Sequence, residues 1–96
     1  MKNRNRKRVY KIPQEREFYR EVGRNIRRIR ISQRMSLQCM VEECGLVSPA
    51  SLWEIESGRR GVSTARLCMI ADALAMPLSE LVGSARKLLR VQLDVS

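Results

Sequence analysis

The sequence contains no histidine, the side chain that serves most often as a general base and as a metal ligand. One Trp, two Tyr and one Phe are too few for a surface on which nucleic-acid bases would stack. No apolar run approaches the roughly 20 residues that span a membrane. The basic N-terminus is not followed by the apolar stretch of a secretory signal. These absences disfavour an enzyme and a membrane protein.

Cysteine is also sparse. Cys39, Cys44 and Cys68 form no CxxC pair, so the spacing predicts neither a disulfide scaffold nor a zinc site. We expect all three to be buried and reduced, as in a cytoplasmic protein. The one glycine-rich stretch, 58–61, lacks the pattern of a phosphate-binding loop. The sequence therefore predicts no metal and no cofactor.

Acidic residues are scarce in the first third of the chain. Residues 1–34 hold 13 basic and 3 acidic side chains, whereas residues 35–96 hold 6 basic and 7 acidic ones. The first eleven residues contain six basic side chains and no acid, and such a run cannot bury a core. We predict a disordered basic arm over 1–13 that either binds polyanions or only aids solubility. The phosphate-binding candidates in the arm are Arg4, Arg6, Lys7 and Arg8.

The chain has enough hydrophobic residues to form the core of one small domain, because they make up 44% of its 96 residues. Apolar residues recur at helical spacing, and no segment is typical of a strand. We predict an all-α domain over 14–83 with helices at 14–33, 37–44, 49–57, 64–75 and 77–82. Serines precede three of these helices as N-caps, and Gly45 ends the second. Residues 84–96 are apolar enough for a last helix that would serve dimerisation.

Two short helices joined by a tight glycine-containing turn are typical of a helix-turn-helix. At this point the chain resembles the lambda-repressor/Cro (Xre-type) family. The resemblance is carried, in chain order, by residues 22–30 (VGRNIRRIR), 52–60 (LWEIESGRR), 67–74 (LCMIADAL) and 78–82 (LSELV). It implies a five-helix, lambda-repressor-like domain that places its third helix in the major groove of double-stranded DNA.

The resemblance also assigns roles to individual residues. It implies base-facing positions at Ser48, Pro49, Ala50, Ser51, Trp53 and Glu54. It implies phosphate contacts at Leu37, Gln38, Ser57, Arg59 and Arg60. Arg30 and Glu56 match a pair that forms an internal salt bridge in the family. Two alternatives stay open: Glu54 pairs with Arg59 or Arg60 instead of a base, and Trp53 packs against a neighbouring helix.

The predicted function is that of a cytoplasmic transcriptional regulator, a repressor that binds DNA as a homodimer. One alternative is an antitoxin of the same fold, which binds a toxin and represses its own operon. Another is a protein-interaction module that has lost DNA binding. The last is favoured by Leu37, which stands where the family usually has a polar, phosphate-binding residue.

Overall fold

The computed structural model describes residues 13–45 and 48–87. These residues form α1 (Pro13–Ser32), α2 (Leu37–Cys44), α3 (Pro49–Glu56), α4 (Thr64–Leu74) and α5 (Leu78–Val82), followed by a 3-10 helix at Gly83–Ala85. The described ranges contain no strand, and the predicted five-helix, all-α fold is confirmed. The predicted basic arm lies outside the described residues, except for Pro13, which begins α1.

α1 is the longest helix, and its apolar face is part of the core. Val22, Ile26 and Ile29 recur at spacings of four and three residues, and all three are buried. The helix ends at Ser32, and Arg34 in the turn that follows adopts a left-handed conformation with φ of 60°. The N–H of Met35 then bonds back to the Arg30 carbonyl at 3.1 Å, a Schellman-type closure of the last turn.

Serine hydroxyls begin three of the other helices, as predicted. Ser36 accepts a hydrogen bond from the Cys39 N–H, Ser48 from the Ser51 N–H and Ser63 from the Arg66 N–H. Each bond satisfies one of the backbone donors that the first turn of a helix leaves open. Gly45 ends α2 in the left-handed conformation, with φ of 72°.

The core is formed by one side of every helix. α1 packs against α3, α5 and the 3-10 helix, while α2 packs against α3 and α4. The largest fully buried side chains come from all five helices and are Val22, Ile26, Met40, Leu52, Ile70, Leu74 and Leu81. Because α3 contributes Leu52 and Ile55 to this core, its opposite face is turned outward.

The expectation that all cysteines are buried is wrong for two of them. Cys44 is buried, whereas Cys39 and Cys68 are exposed. The helical period explains the difference, since Met40, Val41 and Cys44 occupy the core-facing side of α2 and Cys39 does not.

After the 3-10 helix, Arg86 and Lys87 continue in helical conformation. The rest of the predicted dimerisation helix, 88–96, lies outside the described residues.

Candidate nucleic-acid interface

The N-terminal end of α3 is organised by two serines. Ser48 Oγ accepts a hydrogen bond from the Ser51 N–H at 3.2 Å and donates to Ser51 Oγ at 3.3 Å. This arrangement leaves the Ser51 hydroxyl proton available to a base or a phosphate, while the Ser48 hydroxyl is committed to the cap. Pro49 occupies the first helical position, where a missing N–H has no structural cost.

The outward face of α3 presents mostly small and apolar groups. Ala50 and Ser57 are exposed, and Trp53 is 44% exposed. The Ser57 hydroxyl donates to the Glu54 carbonyl at 3.2 Å, so its oxygen is left as an acceptor. A contact from Ser57 to a phosphate therefore requires its hydroxyl to rotate away from that carbonyl.

Trp53 is covered on one face by a loop arginine. The Arg59 guanidinium carbon lies 4.8 Å from the centroid of the indole ring, within the range of a cation–π interaction. The indole therefore orients the side chain that the sequence assigned to a phosphate. Trp53 is 44% exposed, and its packing against a neighbouring helix stays a prediction.

Glu54 adopts the pairing that the sequence left open. Its Oε1 accepts a hydrogen bond from Arg60 NH1 at 3.2 Å, and both side chains are about half exposed. A pair in that environment contributes little stability. It does neutralise the one acidic side chain on the outward part of α3, next to where a phosphate backbone would lie.

The C-terminal end of α3 is tied to α1 by a buried ion pair. Arg30 donates from Nε to Glu56 Oε2 at 2.6 Å and from NH2 to Glu56 Oε1 at 3.0 Å. Its remaining nitrogen, NH1, donates to the Met35 carbonyl at 2.6 Å. The guanidinium thus uses its planar geometry to join three segments of the chain, and the pair sets the orientation of α3.

Gly23 marks a very close approach of α1 and α3. A β-carbon on this residue would overlap the Ile55 carbonyl oxygen and would lie 2.7 Å from the Glu56 carbonyl oxygen. The absence of a side chain therefore lets the backbone of α3 rest directly on α1. Gly23 lies within one of the stretches that carry the family resemblance, but the sequence alone indicated no role for it.

The N-terminus of α2 supplies backbone donors. Cys39 N–H bonds to the Ser36 cap, so the N–H groups of Leu37 and Gln38 remain as the open donors of the first turn. The Leu37 side chain is half buried against the core, and Gln38 donates from Nε2 to Glu42 at 3.1 Å. Any phosphate contact at Leu37 must therefore come from its backbone amide.

Arginines of α1 flank α3, and the predicted site did not include them. Arg27 NH1 lies 3.9 Å from Glu56 Oε1, and an open cleft of about 360 Å³ separates Arg27 from Trp53 and Ser57. Arg16 and Arg20 lie beside Arg59 at the other end of the same helix face. The sequence shows these arginines at helical spacing. Only the position of α3 beside them indicates that they belong to the candidate interface.

Some classes of site find no support within the described residues. No group of three His, Cys, Asp or Glu side chains in 13–45 and 48–87 is placed to hold a metal ion. No single helix in these ranges is long and apolar enough to cross a membrane. By length and composition, only the bent pair of α4 and Leu78–Ala85, at an angle of 105°, meets that requirement. Arg4, Arg6, Lys7 and Arg8 lie outside the described residues.

Comparisons with known proteins place this geometry in a family. The helix-turn-helix domain family matches residues 21–82. The crystal structure of the clp gene regulator ClgR from C. glutamicum is 27% identical, with a TM-score of 0.67, covering 73% of this chain and 90% of that one. The BldD DNA-binding domain from S. venezulae is 32% identical, with a TM-score of 0.61, covering 68% of this chain and 96% of that one.

A comparison with curated protein sequences finds no significant match. The family match nevertheless covers most of the described residues, from α1 through α5. The chain therefore belongs to the helix-turn-helix domain family and has the fold of the DNA-binding transcription regulators of the Xre-like kind.

Proposed function

We propose that this protein binds double-stranded DNA in a sequence-specific manner and regulates transcription, as a repressor of the Xre/Cro type. The observation that carries the proposal is the rigid mounting of α3. Gly23 and the Arg30–Glu56 pair hold its C-terminal end, while its outward residues Ala50 and Trp53 stay exposed. A helix fixed in this way can enter a major groove as a unit.

Base reading is assigned to the outward and N-terminal part of α3. Ser51 donates its hydroxyl proton, Glu54 accepts from a cytosine amino group, and Pro49 and Ala50 offer apolar contact to a thymine methyl. Ser48 supports Ser51, and Trp53 lies beside them. This set is small, so DNA shape and the basic arm are expected to supply part of the specificity.

Phosphate binding is assigned to groups around α3. The amides of Leu37 and Gln38 open the first turn of α2, and Ser57, Arg59 and Arg60 follow α3. The arm residues Arg4, Arg6, Lys7 and Arg8 belong to the same proposal. Contacts of this kind position the protein on the duplex without reading its sequence.

Two copies are proposed to bind two half-sites related by a two-fold axis, with dimer contacts from residues 84–96. The division into an arm (1–13), a DNA-binding domain (14–83) and a dimerisation segment is part of the same proposal. Such a regulator acts on the chromosome, in the cytoplasm.

The decisive experiment is selection of bound sequences from a random duplex pool with the full chain. A two-fold-symmetric consensus is expected. A consensus without symmetry would exclude the proposed dimer, and no enrichment together with no salt-sensitive gel shift would exclude DNA binding.

The main competing function is a protein-interaction module of the same fold. Leu37 favours it, because a half-buried leucine replaces a polar phosphate ligand at the start of α2. The absence of a gel shift at low salt would favour this function. An antitoxin role differs from both, since it predicts that a toxin co-purifies with a protein that still binds DNA.

A further inference from the structure

One face of α1 carries basic side chains on both sides of its contact with α3. Arg16, Arg20, Gly23 and Arg27 follow one another at spacings of four, three and four residues. At about 100° per residue, these four positions fall within an arc of about 60°. Gly23 is where the end of α3 rests on α1. Arg16 and Arg20 therefore lie one to two turns before that contact, beside the loop that follows α3.

This loop lies directly on α1. A β-carbon on Gly58 would come within 2.8 Å of the Arg20 Cα, and Gly58 itself has a φ of 77°. Such a close approach places the residue after Gly58, Arg59, next to Arg20. An open cleft of about 600 Å³ is formed there, and its lining residues are Arg16, Arg20, Glu54, Ser57, Gly58 and Arg59.

The cleft is strongly basic. Arg16 and Arg20 are exposed, and neither pairs with a carboxylate within the described part of the chain. The Arg59 guanidinium lies over the Trp53 ring, with no carboxylate partner in the same part of the chain. The one acidic lining residue, Glu54, is already neutralised by Arg60 at 3.2 Å. Three arginines without a carboxylate partner in the described residues thus line one cleft.

We infer that this cleft binds a phosphate of the DNA backbone, next to the bases that α3 faces. The inference rests on the proposed function, and it adds Arg16 and Arg20 to the interface. Guanidinium groups bind phosphate oxygens through paired N–H donors, which suits an open cleft lined by several of them. Both arginines precede residue 21, where the family match begins, so the contact belongs to the N-terminal extension of α1. The basic arm joins α1 at this same end.

The test is a salt titration of duplex binding with the full chain and with the double variant Arg16→Gln and Arg20→Gln. Removal of one phosphate contact reduces the slope of log affinity against log salt by about 0.9, which is about eightfold in affinity at 0.1 M salt. The slope of the double variant should be smaller by up to about 0.9, the value for the one phosphate that the cleft binds, with unchanged base preferences. Both side chains are exposed, so circular dichroism should show an unchanged fold.

Arg28→Gln is the matched control. Arg28 is exposed on the same helix, but it lies at least about 80° around the helix from Arg16, Arg20 and Arg27. The single variant Arg20→Gln, which removes one charge as Arg28→Gln does, is measured beside it. Arg28→Gln should leave the slope within about 0.3 of the full chain, well below the 0.9 of one contact. If the slope of Arg28→Gln falls as much as that of Arg20→Gln alone, the effect comes from net charge and the inference is overturned.

The outcomes separate the inference from the function on which it rests. If the full chain binds duplex DNA and the double variant has the same slope, the cleft does not bind the backbone and the inference alone fails. If the full chain binds no duplex, both fail. Inorganic phosphate tests the other source of the same chemistry. Suppose that phosphate raises the melting temperature of the full chain but not that of the double variant, and that the two proteins have the same salt slope. This result would overturn the assignment to DNA.

Discussion

Gly23 of α1 lies so close to Ile55 of α3 that any side chain on Gly23 would overlap the Ile55 carbonyl oxygen. The contact is between two backbones, which have no rotamers with which to move apart. Two turns further along α1, the buried Arg30–Glu56 pair holds the same end of α3. These two contacts fix the orientation of the helix that we propose to enter the major groove.

The first prediction concerns Gly23→Ala. In an unobstructed helix this change stabilises a protein by about 0.5–1 kcal/mol. Here the sign should be reversed, with a loss of about 1–3 kcal/mol or more, because the methyl group forces α3 away from α1. Urea denaturation measures the change. Gly61→Ala is the control, since the nearest atoms to its β-carbon would be those of the Tyr19 ring, at 3.2 Å, and a side chain can shift where a backbone cannot. Equal stability of Gly23→Ala and the parent would contradict the close approach.

The second prediction concerns the Arg30–Glu56 pair. Arg30→Ala or Glu56→Ala should each reduce stability by about 3–5 kcal/mol, because the survivor is left as a buried charge without its main partner. Near Glu56 only the exposed Arg27 would remain, at 3.9 Å. The double variant Arg30→Met with Glu56→Leu should recover part of that stability, since it leaves no charge behind. Thermal melts of the parent and the three variants measure these differences. A loss below about 1 kcal/mol for both single variants would mean that water reaches the pair.

The third prediction concerns the end of α4. Ala75 is exposed and adopts the left-handed conformation with φ of 56°, which places its β-carbon close to the backbone. Ala75→Gly should therefore raise the free energy of unfolding by about 0.5–1 kcal/mol. Ala65→Gly, within the helical part of α4, should lower it, because glycine is a poor helix former. The measurement is the free energy of unfolding of both variants, which should change in opposite directions. A decrease in both variants would contradict the prediction.

The fourth prediction concerns Glu54. Glu54→Ala should change stability by less than about 1 kcal/mol, because its pair with Arg60 is half exposed. General affinity for DNA should hold or rise as Arg60 becomes available to a phosphate. Preference at one base pair should relax by about 1–3 kcal/mol. Arg60→Ala should instead weaken all sequences alike.

Binding of each variant to the selected consensus, and to single-base changes of it, checks this prediction. If Glu54→Ala leaves every base preference unchanged, Glu54 serves only as the partner of Arg60. Base reading would then fall to Ser51, whose hydroxyl proton is available, and to DNA shape.

The fifth prediction concerns the arm. Deleting residues 1–12 removes six positive charges. Binding to all duplexes should weaken, and the salt slope should fall by about 0.9 for each phosphate that the arm no longer neutralises. An arm of equal length with glycine and serine in place of the basic residues is the control for chain length, and it should behave like the deletion. An unchanged slope would exclude contact between the arm and DNA.

The local chemistry of the sequence was sufficient to predict the elements. Serine before each of α2, α3 and α4, glycine after α2 and apolar residues at helical spacing depend only on neighbours along the chain. The left-handed ends at Arg34 and Ala75 were not predicted, because neither residue type favours that conformation. The position of Leu52 and Ile55 on the inner side of α3 follows from the helical period alone.

The partners of the charged residues were decided by tertiary structure. Arg27, Arg28 and Arg30 are the same residue type within four positions of one helix, yet only Arg30 is buried, because it alone hydrogen-bonds to Glu56 where α3 crosses α1. Arg27 reaches Glu56 only at 3.9 Å and stays exposed. The basic cleft likewise exists only because Gly58 brings Arg59 against Arg20, 39 residues earlier in the chain. Helical period places a side chain on a face of its own helix. What that face meets depends on how closely the backbones pack, which here was set by the glycines at 23 and 58.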